Sequence, residues 1–103
     1  MSEIYSINEI ATKLKPVFNN SQVEKATLFG SYAKGVPLNC SDIDIAIDSL
    51  GKIKGIDFFG VLEDLTNALN LPVDLIETSQ ILKGSKTEKE ILKTGIVIYE
   101  RAN

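Results

Sequence analysis

Histidine is missing from this chain of 103 residues, and cysteine occurs once, at Cys40. The first absence removes the commonest general base, and together the two leave no plausible zinc set. Proton transfer in any reaction must therefore fall to a carboxylate or to solvent held by a metal. A single cysteine forms no internal disulfide, and nothing near Cys40 in the sequence would activate its thiol. It reads as a small residue leading into a strand rather than as a nucleophile. Long apolar runs are lacking too, since no stretch approaches the roughly 20 residues that span a bilayer. The N-terminal MSEIYSINEI has neither the basic start nor the apolar segment of a signal peptide, so the expected location is the cytoplasm.

Positive charge is scarce and scattered. Lys and Arg number 11 against 14 Asp and Glu, for a net charge of −3, and they form no stripe of the kind that neutralises a nucleic-acid backbone. With 44% hydrophobic and 24% charged residues, the composition is that of an ordinary globular domain. The length predicts one domain over residues 1–103, with room for a single core and none for a second substrate-binding lobe. No internal repeat or low-complexity segment interrupts the chain.

In chain order, Ser6-Ile7-Asn8-Glu9 has the form of a capping box. Ile7, Ile10, Ala11, Leu14, Val17 and Phe18 then recur on one helical face, with Pro16 expected to kink or weaken the last turn. Val23 to Phe29 predicts a strand ending at Gly30-Ser31. A helical turn through Tyr32, Ala33 and Lys34 to Gly35 follows, with Tyr32 packing locally, and Pro37 and Asn39 mark a loop into the second strand. Ser49 to Gly55 reads as a polar turn region. Asp57 is expected to cap a helix that turns Phe58, Val61, Leu62, Leu65, Ala68 and Leu69 inward and closes at Asn70 and Pro72. Val73 to Ile76 predicts a third strand, returned beside the second by a right-handed crossover. Beyond a polar connection, Lys86 to Lys93 predicts a short helix capped by Ser85 or Thr87, with Lys86, Glu88, Lys89, Glu90 and Lys93 as a solvated face. Ile96 to Tyr99 is the last strand. The fold class is α/β (α+β), with about four strands and helices packed on them.

Chemistry concentrates between Leu28 and Asp48, LFGSYAKGVPLNCSDIDIAID, in the pattern G-S-x10-D-x-D. Alternation along a strand puts Asp42 and Asp44 on one face and Ile43, Ile45 and Ile47 on the other. Two carboxylates about 6 to 7 Å apart on one face repel each other, and a divalent cation resolves the conflict. Mg²⁺ prefers oxygen ligands and is usually held by one or two carboxylates together with substrate phosphates. The Gly30-Ser31 turn supplies a complementary half, with close backbone approach, exposed N–H groups and a hydroxyl for phosphate oxygens. Ser41 either supports a phosphate or simply starts the strand.

Gly30-Ser31, then Ala33, Lys34 and Gly35, then Ser41-Asp42-Ile43-Asp44 resembles the signature of nucleotidyltransferases of the DNA polymerase β superfamily. More narrowly, the short chain resembles the minimal nucleotidyltransferase (MNT) antitoxins encoded beside HEPN-domain ribonuclease toxins. The likeness runs from about Val23 to Tyr99. Lys34 departs from it, since many relatives carry arginine there, and lysine keeps the charge but not the bidentate fork. The resemblance implies a polymerase β-like fold with a mixed sheet. It also implies two Mg²⁺ ions held by Asp42 and Asp44, and a third carboxylate from a neighbouring strand at the position matched by Asp74. The bland alternative for Asp74 is a solvated residue at a sheet edge. Gly30 and Ser31 would hold the β and γ phosphates of ATP, with Lys34 and Ser41 as further nucleotide contacts. The implied reaction is transfer of AMP to a hydroxyl, a tyrosine of the HEPN toxin, which silences it. Two other readings stand beside it, an antitoxin that neutralises by binding alone and a transferase acting on a small molecule. The scattered cations carry an expectation of their own: affinity for bulk DNA or RNA at physiological salt should be weak. A filter or fluorescence titration showing tight, strongly salt-dependent binding would contradict it.

Overall fold

The computed structural model describes residues 5–35 and 42–101. Helix α1 (Ile7–Asn19) starts from the expected capping box. The Ser6 hydroxyl accepts from the Glu9 amide at 3.1 Å while the Glu9 carboxylate accepts from the Ser6 amide at 2.8 Å. Ile10, Leu14 and Phe18 form its buried stripe, and the helix continues past Pro16 to Asn19. Strand β1 (Lys25–Phe29) is followed by the short helix α2 (Ser31–Lys34), strand β2 (Ile43–Asp48), helix α3 (Ile56–Leu69) and strand β3 (Val73–Glu77). A 3-10 turn (Thr78–Gln80), helix α4 (Lys86–Thr94) and strand β4 (Ile96–Glu100) complete the order.

The four strands form one sheet in the order β3-β2-β1-β4. β1 runs antiparallel to both β2 and β4, whereas β2 and β3 are parallel neighbours, so the sheet is mixed. The strand–helix–strand passage through α3 does return β3 to the side of β2. β3 is, however, an edge strand rather than an interior one, which explains how it tolerates Asp74. On one face, Ile43, Ile45 and Ile47 are fully buried in a core shared with Leu28, Ile10, Leu14, Phe18, Leu65 and Leu69. On the other face of β2, Asp44 and Ala46 stand in register with Phe29 and Thr27 of β1.

Three details differ from the sequence expectation. Asp57 does not cap α3; Gly55, at a φ of +56°, precedes the helix, and Asp57 lies in its first turn, where a negative charge suits the helix dipole. Ser49 opens the expected turn, its carbonyl accepting from the Lys52 amide at 3.1 Å, but its side chain is fully buried, the hydroxyl donating to the Glu77 carboxylate at 2.6 Å and accepting from the Ile53 amide at 3.1 Å. Strand β1 begins at Lys25, two positions later than predicted, although Val23 remains fully buried. The α2–β2 connection with Pro37, Asn39, Cys40 and Ser41 lies outside the described residues. Among the described residues no helix is long and apolar enough to cross a membrane.

Glu77 is itself buried and takes further hydrogen bonds from Thr78 and Ser79, so the Ser49 hydroxyl ties the loop after β2 to the end of β3. Ser49→Ala should cost about 1–3 kcal/mol, because it strips a buried carboxylate oxygen of its donor. Urea denaturation should show a lower midpoint at unchanged slope.

Candidate active site

At the end of β1 the backbone turns sharply at Gly30, with φ +80° and ψ −153°. Phe29, the residue before it, pairs with Asp44 across the β1–β2 ladder, which brings the Gly30 α-carbon against the Asp44 carboxylate. A Cβ built on Gly30 would overlap Asp44 Oδ2, so any other residue there would have to displace that side chain. Both the left-handed backbone and the close approach therefore require glycine.

Asp44 is half-buried, and Asp74 stands directly beside it on the same rung of the parallel β2–β3 ladder. Adjacent strands lie about 4.8 Å apart, so two like charges share one short stretch of surface. Asp42, exposed at the mouth of β2, adds a third. The Asp44 carboxyl is pushed up to about 6, by burial first, then by the charges of Asp74, Asp42 and Glu90. Ser31 lies half-buried at the first position of α2, while Tyr32 is buried in the core and packs locally as expected.

Helix α4 contributes what the sequence did not reveal. The Gly30 amide donates to Thr94 Oγ1 at 3.0 Å, and the Thr94 hydroxyl donates to the Glu90 carbonyl at 2.8 Å. The Gly30 N–H is thus already engaged and is not a free phosphate donor, which corrects the reading of that turn as a row of exposed amides. Glu90 is not part of a merely solvated face either, because its carboxylate pairs with Lys34 Nζ at 3.0 Å. Glu90 and Thr94 are four residues apart and so share a face of α4, a signal present in the sequence but uninterpretable without knowing what the face meets. Ser41 lies outside the described residues.

Among the described residues, no group of three or more carboxylate, cysteine or histidine side chains is drawn together as a preformed metal cage. The donor set around Asp44 is nevertheless all oxygen, hard and negatively charged, with Asp42 and Asp74 near enough to raise its pKa. Such an incomplete set fits Mg²⁺, which keeps several waters and takes one or two carboxylates plus substrate phosphates, better than it fits Zn²⁺ or a cage-bound Ca²⁺.

Comparisons with known proteins bear on the family and the fold. A family model described as polymerase beta, nucleotidyltransferase, matches residues 12–103. A protein of Methanocaldococcus jannaschii, provisionally named a protein adenylyltransferase, is 37% identical over 82 residues, covering 79% of this chain and 95% of that protein. A chain from a toxin–antitoxin crystal structure with AMP-PNP matches with a TM-score of 0.73 at 23% identity, over 88% of this chain and 73% of that one. A chain from the complex of a tri-AMPylated Shewanella oneidensis HEPN toxin with its MNT antitoxin matches with a TM-score of 0.62 at 22% identity, over 92% and 73%. At these identities the two structures establish a shared fold.

A carboxyl whose pKa rises from 3.8 in the unfolded chain to about 6 on folding binds its proton more tightly in the folded state. Its contribution to stability is full below the unfolded value and is lost as pH rises through about 6. The metal-free protein should lose stability over that window, and Asp44→Asn should flatten the profile. At neutral pH the variant should be more stable by on the order of 1 kcal/mol, discounting for the solvent-facing side of the carboxylate. Thermal melts of both proteins across that range in chelator check this, and a variant that is simply less stable at every pH would contradict it.

Proposed function

The chain belongs to the polymerase β nucleotidyltransferase family, and from that premise we propose that it transfers AMP from ATP to a hydroxyl, a tyrosine, of a cognate HEPN ribonuclease toxin, and thereby neutralises it. The observation that carries the reading is the pairing of Asp44 with Asp74 on one rung, with Asp42 two residues before Asp44 and the Gly30-Ser31 turn packed against the Asp44 carboxylate. Asp42, Asp44 and Asp74 would hold Mg²⁺, two ions in this reading. Bound there, the metal would offset phosphate charge and stabilise the entering and leaving oxygens of an in-line displacement.

The residues of this chain would divide the remaining work. Gly30, lacking a side chain, lets the Asp44 carboxylate pack against the turn, so that phosphates held at the turn would lie beside that carboxylate. Ser31 presents a hydroxyl to the β and γ phosphates, and Lys34, at the end of the same short helix, supplies the nearby cation. Ser41, next to Asp42, completes the proposed nucleotide contacts. In the transfer, the acceptor oxygen bonds to the α-phosphorus, the α–β bridging P–O bond breaks and pyrophosphate departs. With no histidine in the chain, the hydroxyl proton would pass to a site carboxylate or to solvent.

Support for the substrate class comes from the relative provisionally named a protein adenylyltransferase. The partner class comes from the toxin–antitoxin complexes whose fold this chain shares. Incubating the protein with ATP, Mg²⁺ and the HEPN protein encoded beside it should add AMP to that partner, read as an intact-mass increase. Asp42→Asn and Asp44→Asn should each lower the rate by at least about a hundredfold, as expected when a charge that binds an essential metal is removed. A partner that is inhibited yet carries no added mass, and that recovers once the antitoxin is removed, would instead favour neutralisation by binding alone.

A further inference from the structure

We propose that Glu90 is a positioning residue that holds Lys34 in reserve, so that incoming triphosphate must take the lysine from Glu90. This inference rests on the nucleotide-transfer reading and adds to it a control on phosphate binding. The first support is the rigidity of α4 at this point. Its last residue, Thr94, is joined to the Gly30 amide. The following Gly95 lies so close to the Ile91 carbonyl and the Thr27 methyl that no Cβ would fit without a shift. The end of α4 is therefore fixed against β1, and with it the backbone that carries Glu90.

The second support is charge. The Asp44 carboxylate lies against Gly30, and Asp74, Asp42 and Glu90 are near enough for their charges to act on it. Lys34 is the cation that meets this group, and it meets it through Glu90, at 3.0 Å. In that position Glu90 neutralises a cation that would otherwise meet a polyphosphate and also adds a negative charge that the polyphosphate must approach.

The third support is magnitude. The Lys34 and Glu90 side chains are 43% and 32% exposed, and such pairs typically shift an equilibrium only about 1.5- to fivefold. A contact that weak yields to a ligand carrying several negative charges, whereas a buried bidentate pair would not. Lysine suits this exchange, since its ammonium is a point charge on a flexible stem without the planar fork that would fix it to one carboxylate.

The test is a double-mutant cycle on Glu90 and Lys34, read as the dissociation constant of AMP-PNP in the presence of Mg²⁺ by titration calorimetry. Glu90→Gln should tighten binding by about 1.5- to fivefold, the size expected from releasing one exposed pair. Lys34→Gln should weaken binding, and adding Glu90→Gln to it should recover little. Glu90→Asp, which keeps the charge, should bind much closer to wild type than Glu90→Gln does. A purely structural role for Glu90 would change the melting temperature of the variants without this dependence on Lys34. Unchanged or weaker binding in Glu90→Gln overturns the proposal. So does a gain of equal size in the Lys34→Gln background, which would show Glu90 acting through repulsion alone. If wild type binds no AMP-PNP with Mg²⁺, the nucleotide reading itself fails and this inference goes with it. If wild type binds but the cycle shows no coupling, only the inference fails.

Discussion

The Asp44 carboxylate packs against the α-carbon of Gly30 while Asp74 occupies the same rung of the neighbouring strand, and this crowding of like charge shapes everything placed around it. Burial and the neighbouring acids raise the Asp44 pKa, which means that the fold spends stability to keep the group where it is. The opposite face of the same strand offsets that expense. Ile43, Ile45 and Ile47 are fully buried, and each such side chain contributes about 1.5–3 kcal/mol of transfer free energy. Strand β2 is thus at once the best-anchored strand of the core and the carrier of the repulsion, and the two-residue alternation allows it to be both.

Helix α4 shows how the rest of the molecule adapts to that arrangement. It packs against β1 beside the turn, and its Thr94 hydroxyl takes the Gly30 amide that the sharp bend would otherwise leave unpaired. The same helix directs Glu90 to Lys34, so that lysine is restrained rather than loose. At the far end of the parallel pair, Ser49 and Glu77 form a buried polar link that fixes β2 and β3 relative to each other. Since Asp44 and Asp74 sit on these two strands, a link that holds their register also holds the two carboxylates on one rung.

Much of this was legible in the sequence because the relevant signals are local. The capping box at Ser6, the inward residues of α3 and the alternating Asp and Ile of β2 each depend on spacings of a few residues, and the structure reproduces them. Asp74 required one further step, the return of a parallel strand after a helix, and its place beside Asp44 follows from topology rather than from spacing. What could not be read joins distant segments. The Gly30 amide meets Thr94 from 64 residues away, and Ser49 meets Glu77 from 28 residues away. No periodicity links such pairs, so Glu90 looked like one more charge on a solvated helix and Ser49 like one more polar turn residue. The cap of α3 was misassigned for a different reason. Asp at a helix start is a good cap in general, but here Gly55 adopts a positive φ and takes the boundary, leaving Asp57 to act on the helix dipole from inside.

An incomplete, self-repelling acid cluster also bears on how selectivity can arise in so small a protein. A site preassembled as a full cage would bind a cation whether or not a nucleotide was present. Here no such cage exists among the described residues. In the proposed reading, a metal would relieve the repulsion among Asp42, Asp44 and Asp74, while phosphates would complete its coordination and displace Glu90 as the partner of Lys34. Each ligand would then improve the site for the other, which is positive coupling by ordinary linkage. Gly30 is the residue on which the proposed coupling would turn, because a side chain at that position would push the Asp44 carboxylate aside and so disturb the acid pair that the metal would bridge to the phosphates.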